Sequence, residues 1–264
     1  TALDEVVQMM GGLAYMTGRP GDPLRAGSSV NDIMGGMFGA IGAMAALARR
    51  GITGRGQEVQ SALFENNVFL VAQHMMQFAV TGRPAAPMPA RISSWGVYDV
   101  FTVKDGEQIF LSAVSDTQWS TLCEAFGFDD LRQDARLATN NDRVRARDWL
   151  MPVLRERFAA HDARHLAEVF ERHGLPYASI TRPEDLFDDP HLQATGGLAP
   201  MRLDDGRETR VPLLPLSLDG QRLGLRQDPP RLGEHTGEVL RDLGYTDDEV
   251  RTMAGAGACR LAQD

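Results

Sequence analysis

Thr1-Ala2-Leu3-Asp4-Glu5-Val6-Val7-Gln8-Met9-Met10-Gly11-Gly12 opens the chain with a carboxylate at the head of an apolar helical run that ends in a glycine pair. An aspartate in that place lies among the free amides of a helix N-terminus, where negative charge is favoured. One reading makes Asp4 a helix cap, because aspartate is a preferred capping residue. The other makes it a chemical group, and the residues downstream of the glycine pair support that second reading.

Outward from this stretch run Gly11-Gly12-Leu13, Thr17-Gly18-Arg19-Pro20, Gly21-Asp22-Pro23, Ser29-Val30-Asn31-Asp32 and Gly51-Ile52-Thr53-Gly54-Arg55-Gly56-Gln57. The periodicity predicts a first apolar helix, a Gly/Pro loop at 18–27, a small-residue helix over 32–50 and a third helix over 61–80. Small residues at 35, 39, 42, 43 and 46 suit close helix packing, and Arg49-Arg50 suits the negative end of the dipole. The apolar run 33–48 is short for a membrane span and is broken by four glycines, so it reads as a buried helix. Thr81-Gly82-Arg83-Pro84-Ala85-Ala86-Pro87-Met88-Pro89 then reads as a linker.

The next region opens with two β-prone runs, Val97 to Val103 and Gln108 to Ala113, joined at Lys104-Asp105-Gly106-Glu107, a hairpin-turn composition. Helices are expected over 116–126, with Trp119, Leu122, Cys123 and Phe126 on one face, over 141–160, and over 162–173, the last closed by Gly174 as a C-cap. A further strand is expected over 176–180. From 188 to 231 proline, glycine and short alternations suggest an extended segment with a hairpin near Asp204-Asp205-Gly206. Short helices over 234–243 and 246–253 close the chain.

At 264 residues with 43% hydrophobic composition the chain can build sizeable cores. A net charge of -9 argues against a nucleic-acid partner, which calls for a basic face. Cys123 and Cys259 form neither a disulfide framework nor a metal spacing, which fits a reducing compartment, and a cytoplasmic location with no membrane attachment is expected. Histidines 74, 161, 165, 173, 191 and 235 show no metal-ligand spacing, so no metal is expected.

The glycine-rich pieces above continue in order with Trp95-Gly96-Val97-Tyr98, Lys104-Asp105-Gly106, Gln118-Trp119, Ala138-Thr139-Asn140 with Arg143, Gly174-Leu175-Pro176-Tyr177 with Asp189-Pro190, and Pro230-Arg231-Leu232-Gly233-Glu234-His235-Thr236. The ordered series resembles the family III CoA transferases, the group of formyl-CoA and carnitine-CoA transferases and α-methylacyl-CoA racemases. The resemblance implies an α/β fold: residues 1–85 as the helical part of a large Rossmann-like domain carrying the catalytic aspartate, 94–195 as a small α+β domain, and 196–264 as an extended return segment with the last helices of the large domain. It also implies two protomers threaded as interlocked rings. Members of the family usually carry a further N-terminal region that supplies much of the CoA site, so this chain is expected to be the C-terminal part, a processed product or one half of a split enzyme, with its CoA-binding residues unknown.

By position, the resemblance makes Asp4 the catalytic carboxylate. Such a nucleophile attacks an acyl-CoA thioester to give a mixed anhydride, which the freed thiolate converts to an enzyme thioester; an incoming carboxylic acid reverses the steps. The acyl-CoA and the acid are then small-molecule partners, and coenzyme A is a substrate portion rather than a resident cofactor. Glycines 11, 12, Gly35 and Gly36 can admit close backbone approach to a developing oxyanion. Met34 belongs to a run of methionines (9, 10, 34, 37, 44, 75, 76) that either fill a core or line an acyl pocket. Thr53 to Gln57 lacks the spacing of a phosphate loop and reads as a structural turn. Ser93-Ser94-Trp95 stands where some members carry a glycine-rich lid, a run absent here, and Ser94 joins Gly35, Gly36 and Met34 as an expected substrate contact. The alternative activity is a racemase-like isomerase in which the same aspartate works with a histidine across the acyl α-carbon; a non-catalytic homologue that serves only in assembly is the third.

Overall fold

The computed structural model describes residues 3–104 and 106–262; Asp105 of the expected hairpin turn, and Thr1 and Ala2 of the opening stretch, lie outside the described residues. In chain order the elements are α1 (Asp4–Met10), α2 (Leu13–Thr17), α3 (Val30–Thr53), α4 (Leu63–Thr81), β1 (Val97–Thr102), β2 (Gln108–Ala113), α5 (Asp116–Phe126), α6 (Asp129–Arg132), α7 (Asn140–Arg145), α8 (Arg147–Phe158), α9 (Ala163–Arg172), β3 (Tyr177–Ser179), α10 (Pro190–Ala194), β4 (Leu198–Arg202), β5 (Glu208–Pro212), β6 (Ser217–Leu218), β7 (Gln221–Arg222), α11 (Thr236–Asp242) and α12 (Asp247–Gly255). The mixed α and β class is thus observed. Sheets are small: β1-β2-β3, and the two pairs β4-β5 and β6-β7. No doubly wound parallel sheet occurs among the described residues.

Two compact units emerge. The first comprises Thr1–Asp99, Leu111–Phe158 and Glu168–Pro176; the second comprises Val100–Phe110, Ala159–Ala167 and Tyr177–Asp264.

In the first unit α1 packs on α3 and α4, and α2 on α1 and α4. The break between α1 and α2 has a plain cause. Gly12 holds φ at 88°, a left-handed conformation that costs a side-chain-bearing residue energy, and a Cβ at Gly11 would stand 2.1 Å from Asn67 Oδ1. Leu122, Leu137, Leu150, Leu154, Phe158 and Phe170 are fully buried in this unit, with Phe158 and Phe170 edge-to-face at 6.1 Å. Among them Arg143 is also fully buried. Its guanidinium donates to the Leu137 carbonyl and to Asp116 Oδ1, at 2.9 and 2.6 Å, and lies over the Trp119 ring. A buried charge needs such partners.

α5 runs from the Ser115/Gln118 capping box to Gly127 in the left-handed conformation. Its bounds are those the spacing predicted. The expected single helix over 141–160 is instead two, α7 and α8, divided at Ala146. The Thr139/Asp142 capping box starts α7 within a few residues of the buried Arg143, and Pro152 inside α8 has no amide to give to the preceding turn.

The small-residue helix also departs from expectation. α3 is 24 residues long, and apart from Asn31 its residues are not buried. Ile33, Met37, Ile41, Met44 and Leu47 form an exposed stripe at helical spacing, because α1 and α4 cover only the opposite face. By length and composition alone α3 suffices to cross a membrane. The core reading of Met9, Met10, Met37, Met44, Met75 and Met76 fails as well, since all six are exposed.

In the second unit β4 and β5 pair antiparallel, Leu198 against Pro212 through Arg202 against Glu208, and the turn between them holds Gly206 at φ 84°. This is the hairpin expected near Asp204-Asp205-Gly206. A second one, β6 with β7, turns at Asp219-Gly220 and went unread in the sequence. Phe101, Ile109 and Leu166 of the second unit are fully buried.

Candidate active site

Asp4 is the first residue of α1, preceded by Leu3 in extended conformation, and its side chain caps no amide of its own helix. The capping reading is therefore replaced by another arrangement. Asp4 Oδ1 accepts from the backbone amide of Asn31 at 2.8 Å, and Oδ2 accepts from Gln8 Nε2 at 2.6 Å. The residue is only 6% exposed. Asn31 occupies the first turn of α3, whose first amides have no intrahelical acceptor, so the carboxylate sits at the positive end of a 24-residue helix. Two amide donors and that dipole offset much of the cost of burying its charge.

Gln8 lies one turn beyond Asp4, on the same face, and is fully buried. Its Oε1 accepts from the Ala26 amide at 2.8 Å, while Nε2 also reaches the Ser28 carbonyl at 3.3 Å. These bonds tie the Gly/Pro loop across α1. Behind them, Asn67 Nδ2 on α4 donates to Asn31 Oδ1 at 3.2 Å. Asn31 Nδ2, Asn67 Oδ1 and Asn66 Nδ2 are buried with no partner, which is costly for groups of this kind. The exposed Arg25–Glu5 pair nearby, at 2.7 Å, adds little.

The other expected site residues fall on α3 and ahead of β1. Gly35 is half-buried on α3; a Cβ there would meet Asn66 Nδ2 at 3.4 Å and Leu63 Cδ1 at 3.6 Å, and its carbonyl accepts from Ser61 Oγ at 3.0 Å. Gly36 faces open space and Met34 is half-buried, both on α3 near Asn31 in sequence. Ser94 is exposed, and its carbonyl accepts from Asn140 Nδ2 at 3.0 Å. Thr53 to Gln57 forms a turn: Gly54 ends α3 at φ 71°, and the Arg55 amide donates to Thr53 Oγ1. His161 and His165 stack at 5.2 Å, and no cluster able to hold a metal ion occurs among the described residues.

Sequence reasoning missed Gln8, Asn31, Asn66 and Asn67. Two signals for them were present: Gln8 is at i+4 from Asp4, and Asn66-Asn67 is an adjacent polar pair in the first turns of the helix expected over 61–80.

Residues 1–236, which include Asp4 and the ordered glycine-rich pieces, match the profile of a known sequence family. The chain belongs to CoA-transferase family III. Its relatives include the succinate–glutarate CoA-transferase of Agrobacterium fabrum, 30% identical over 91% of this chain and 60% of that protein. Another is the succinyl-CoA–L-malate CoA-transferase β subunit of Chloroflexus aurantiacus, 32% identical over 94% of this chain and 62% of that one. In structure the chain is similar to a CAIB/BAIF family protein of Brucella suis, with a TM-score of 0.81, 28% identity and coverage of 92% of this chain and 63% of the other. The chain thus spans about three fifths of the length of these relatives. The family III match contains the whole Asp4 cluster and leaves out only 237–264.

Proposed function

We propose that Asp4 is the nucleophile of a CoA transfer from an acyl-CoA thioester to a free carboxylic acid. The observation carrying this reading is a nearly buried carboxylate aligned by one amide donor from the N-terminal turn of α3 and one from α1 in a family III chain. A carboxylate oxygen attacks the thioester carbonyl; the new C–O bond replaces the C–S bond, and CoA leaves as thiolate. The thiolate then attacks the aspartyl carbonyl of the anhydride, releasing the donor acid as carboxylate and leaving an aspartyl thioester. The acceptor carboxylate attacks that thioester to give a second anhydride and free thiolate. Attack of the thiolate on the acceptor's acyl carbonyl yields the new acyl-CoA and restores the Asp4 carboxylate. No net proton is consumed, and the sequence of steps needs neither a metal nor a permanent cofactor.

The relatives named above are named for succinate, glutarate and L-malate, which supports short dicarboxylic acids as donor and acceptor here. On the same reading the protein works in the cytoplasm as an interlocked homodimer, with the bare apolar stripe of α3 as a face the assembly covers.

The test is to trap the intermediate. The active enzyme, incubated with acyl-CoA and then with hydroxylamine or borohydride, is expected to carry modification at Asp4, and CoA is expected to move to an added acid without deuterium entering the acyl α-carbon from deuterated water. Deuterium incorporation in the absence of any acceptor would overturn the transferase reading in favour of an isomerase.

A further inference from the structure

We infer that Gln8 is a positioning residue for the Asp4 carboxylate, an inference that rests on the reading of Asp4 as nucleophile. Every polar atom of its carboxamide is engaged: Nε2 donates to Asp4 Oδ2 at 2.6 Å and to the Ser28 carbonyl at 3.3 Å, and Oε1 accepts from the Ala26 amide at 2.8 Å. The three partners fix which way the amide points. Turned over, it would set its oxygen against the Asp4 carboxylate and the Ser28 carbonyl, and its NH₂ against the Ala26 N–H, making three repulsive contacts in a fully buried place. Gln8 therefore always presents N–H to Oδ2.

That constraint has a chemical use. Asn31 holds Oδ1 through a backbone amide of α3, and Gln8 holds Oδ2 from α1, so the plane of the carboxylate is set from two elements at once. A carboxylate held by one donor only is free to turn about its side-chain torsions, and misplacing a nucleophile by about 1 Å costs on the order of 10²-fold in rate. A glutamate at position 8 would oppose the ionised Asp4, and an apolar residue would leave Ala26 N, Ser28 O and Oδ2 short of partners. The charged groups in the first turns of the surrounding helices are Asp4 itself and Glu5, paired with Arg25, on α1, Asp32 on α3 and Glu65 on α4; Arg49 and Arg50 lie near the far end of α3, and the titratable His74 lies beyond the middle of α4.

The test uses Gln8→Met, of similar shape with no donor, and Gln8→Glu, whose carboxyl donates only when protonated, each in the active enzyme with Asp4→Asn measured beside them. Gln8→Met is expected to lower kcat about 10- to 100-fold, the loss of one charge-assisted hydrogen bond, with KM for acyl-CoA within about two-fold of wild type. Gln8→Glu is expected to be slower still at neutral pH and to regain rate as the medium is acidified and the introduced carboxyl shares a proton with Asp4. Gln8→Met should show no such regain. The inference is overturned if either variant keeps kcat within about two-fold, if the loss lies wholly in KM, if acid fails to rescue Gln8→Glu, or if both variants simply fail to fold, which marks Gln8 as structural. Near-wild-type turnover by Asp4→Asn overturns the nucleophile reading itself, and this one with it; an inactive Asp4→Asn beside fully active Gln8 variants removes only the role of Gln8.

Discussion

At the scale of single residues, the head of the apolar run offered Asp4 as a helix cap and the family resemblance offered it as a nucleophile, but neither reading revealed its surroundings. Its partners lie 27 residues away at Asn31 and one turn on at Gln8, and a pattern read along one helix does not reveal a bond from another. Asp4→Asn keeps the shape while removing the charge. It is expected to reduce turnover at least about 10³-fold with the far-ultraviolet circular dichroism unchanged, as loss of a nucleophile should. The cysteines give a second residue-level prediction. Burial pushes the Cys123 thiol up to about 12 although Arg132 and Arg143 pull the other way, whereas Cys259 is half-exposed. The thiolate is the reactive form. In the folded chain iodoacetamide at mildly alkaline pH should therefore label Cys259 and spare Cys123; mass spectrometry showing equal labelling would contradict the buried placement.

Among elements, α5 was read with its ends correct and α9 to within one residue at each end. α5 has Ser115 with Gln118 before it and Gly127 after it, and α9 closes at Gly174. The division of α7 from α8 was not legible, because it stems from the groups Arg143 must reach rather than from an apolar period. The β6-β7 hairpin was missed for a lesser reason: its Asp219-Gly220 turn is a strong signal, but the strands it joins are two residues each. Removing the α5 cap with Ser115→Ala should cost about 1 kcal/mol in thermal or urea unfolding. A pH prediction belongs to α7. The Thr139 hydroxyl and amide, with Arg145, hold the Asp142 carboxyl below its ordinary value. A depressed carboxyl contributes stability in full above its unfolded value and loses that contribution as pH falls through the folded one. The gap in melting temperature between wild type and Asp142→Asn should accordingly be widest near neutrality and close in acid; a gap independent of pH would show that the carboxylate's charge contributes nothing.

On the scale of the whole chain, the dominant feature is apolar surface. Ile33, Met37, Ile41, Met44 and Leu47 of α3 stand exposed, as do Phe69 and Met76 of α4, and patches of this kind mark association sites. The 264-residue chain alone is expected to self-associate by light scattering, and Ile41→Glu with Met44→Glu to reduce that association. A monodisperse monomer with one sharp thermal transition would contradict both the prediction and the role given to that face. The sequence marked this helix as apolar and close-packing, yet periodicity cannot say whether a face is covered by the same chain. Hydrogen exchange at the Asn31 amide reports on its bond to Asp4. That amide, in the first turn of α3, has the Asp4 carboxylate as its acceptor where the amides farther along the helix have carbonyls, and it heads a rod about 36 Å long at ~1.5 Å per residue. Its deuterium uptake should therefore be slow while Asp4 is free and should quicken whenever an acyl group takes the charge away, so that a single backbone hydrogen records how much of the enzyme is loaded during turnover.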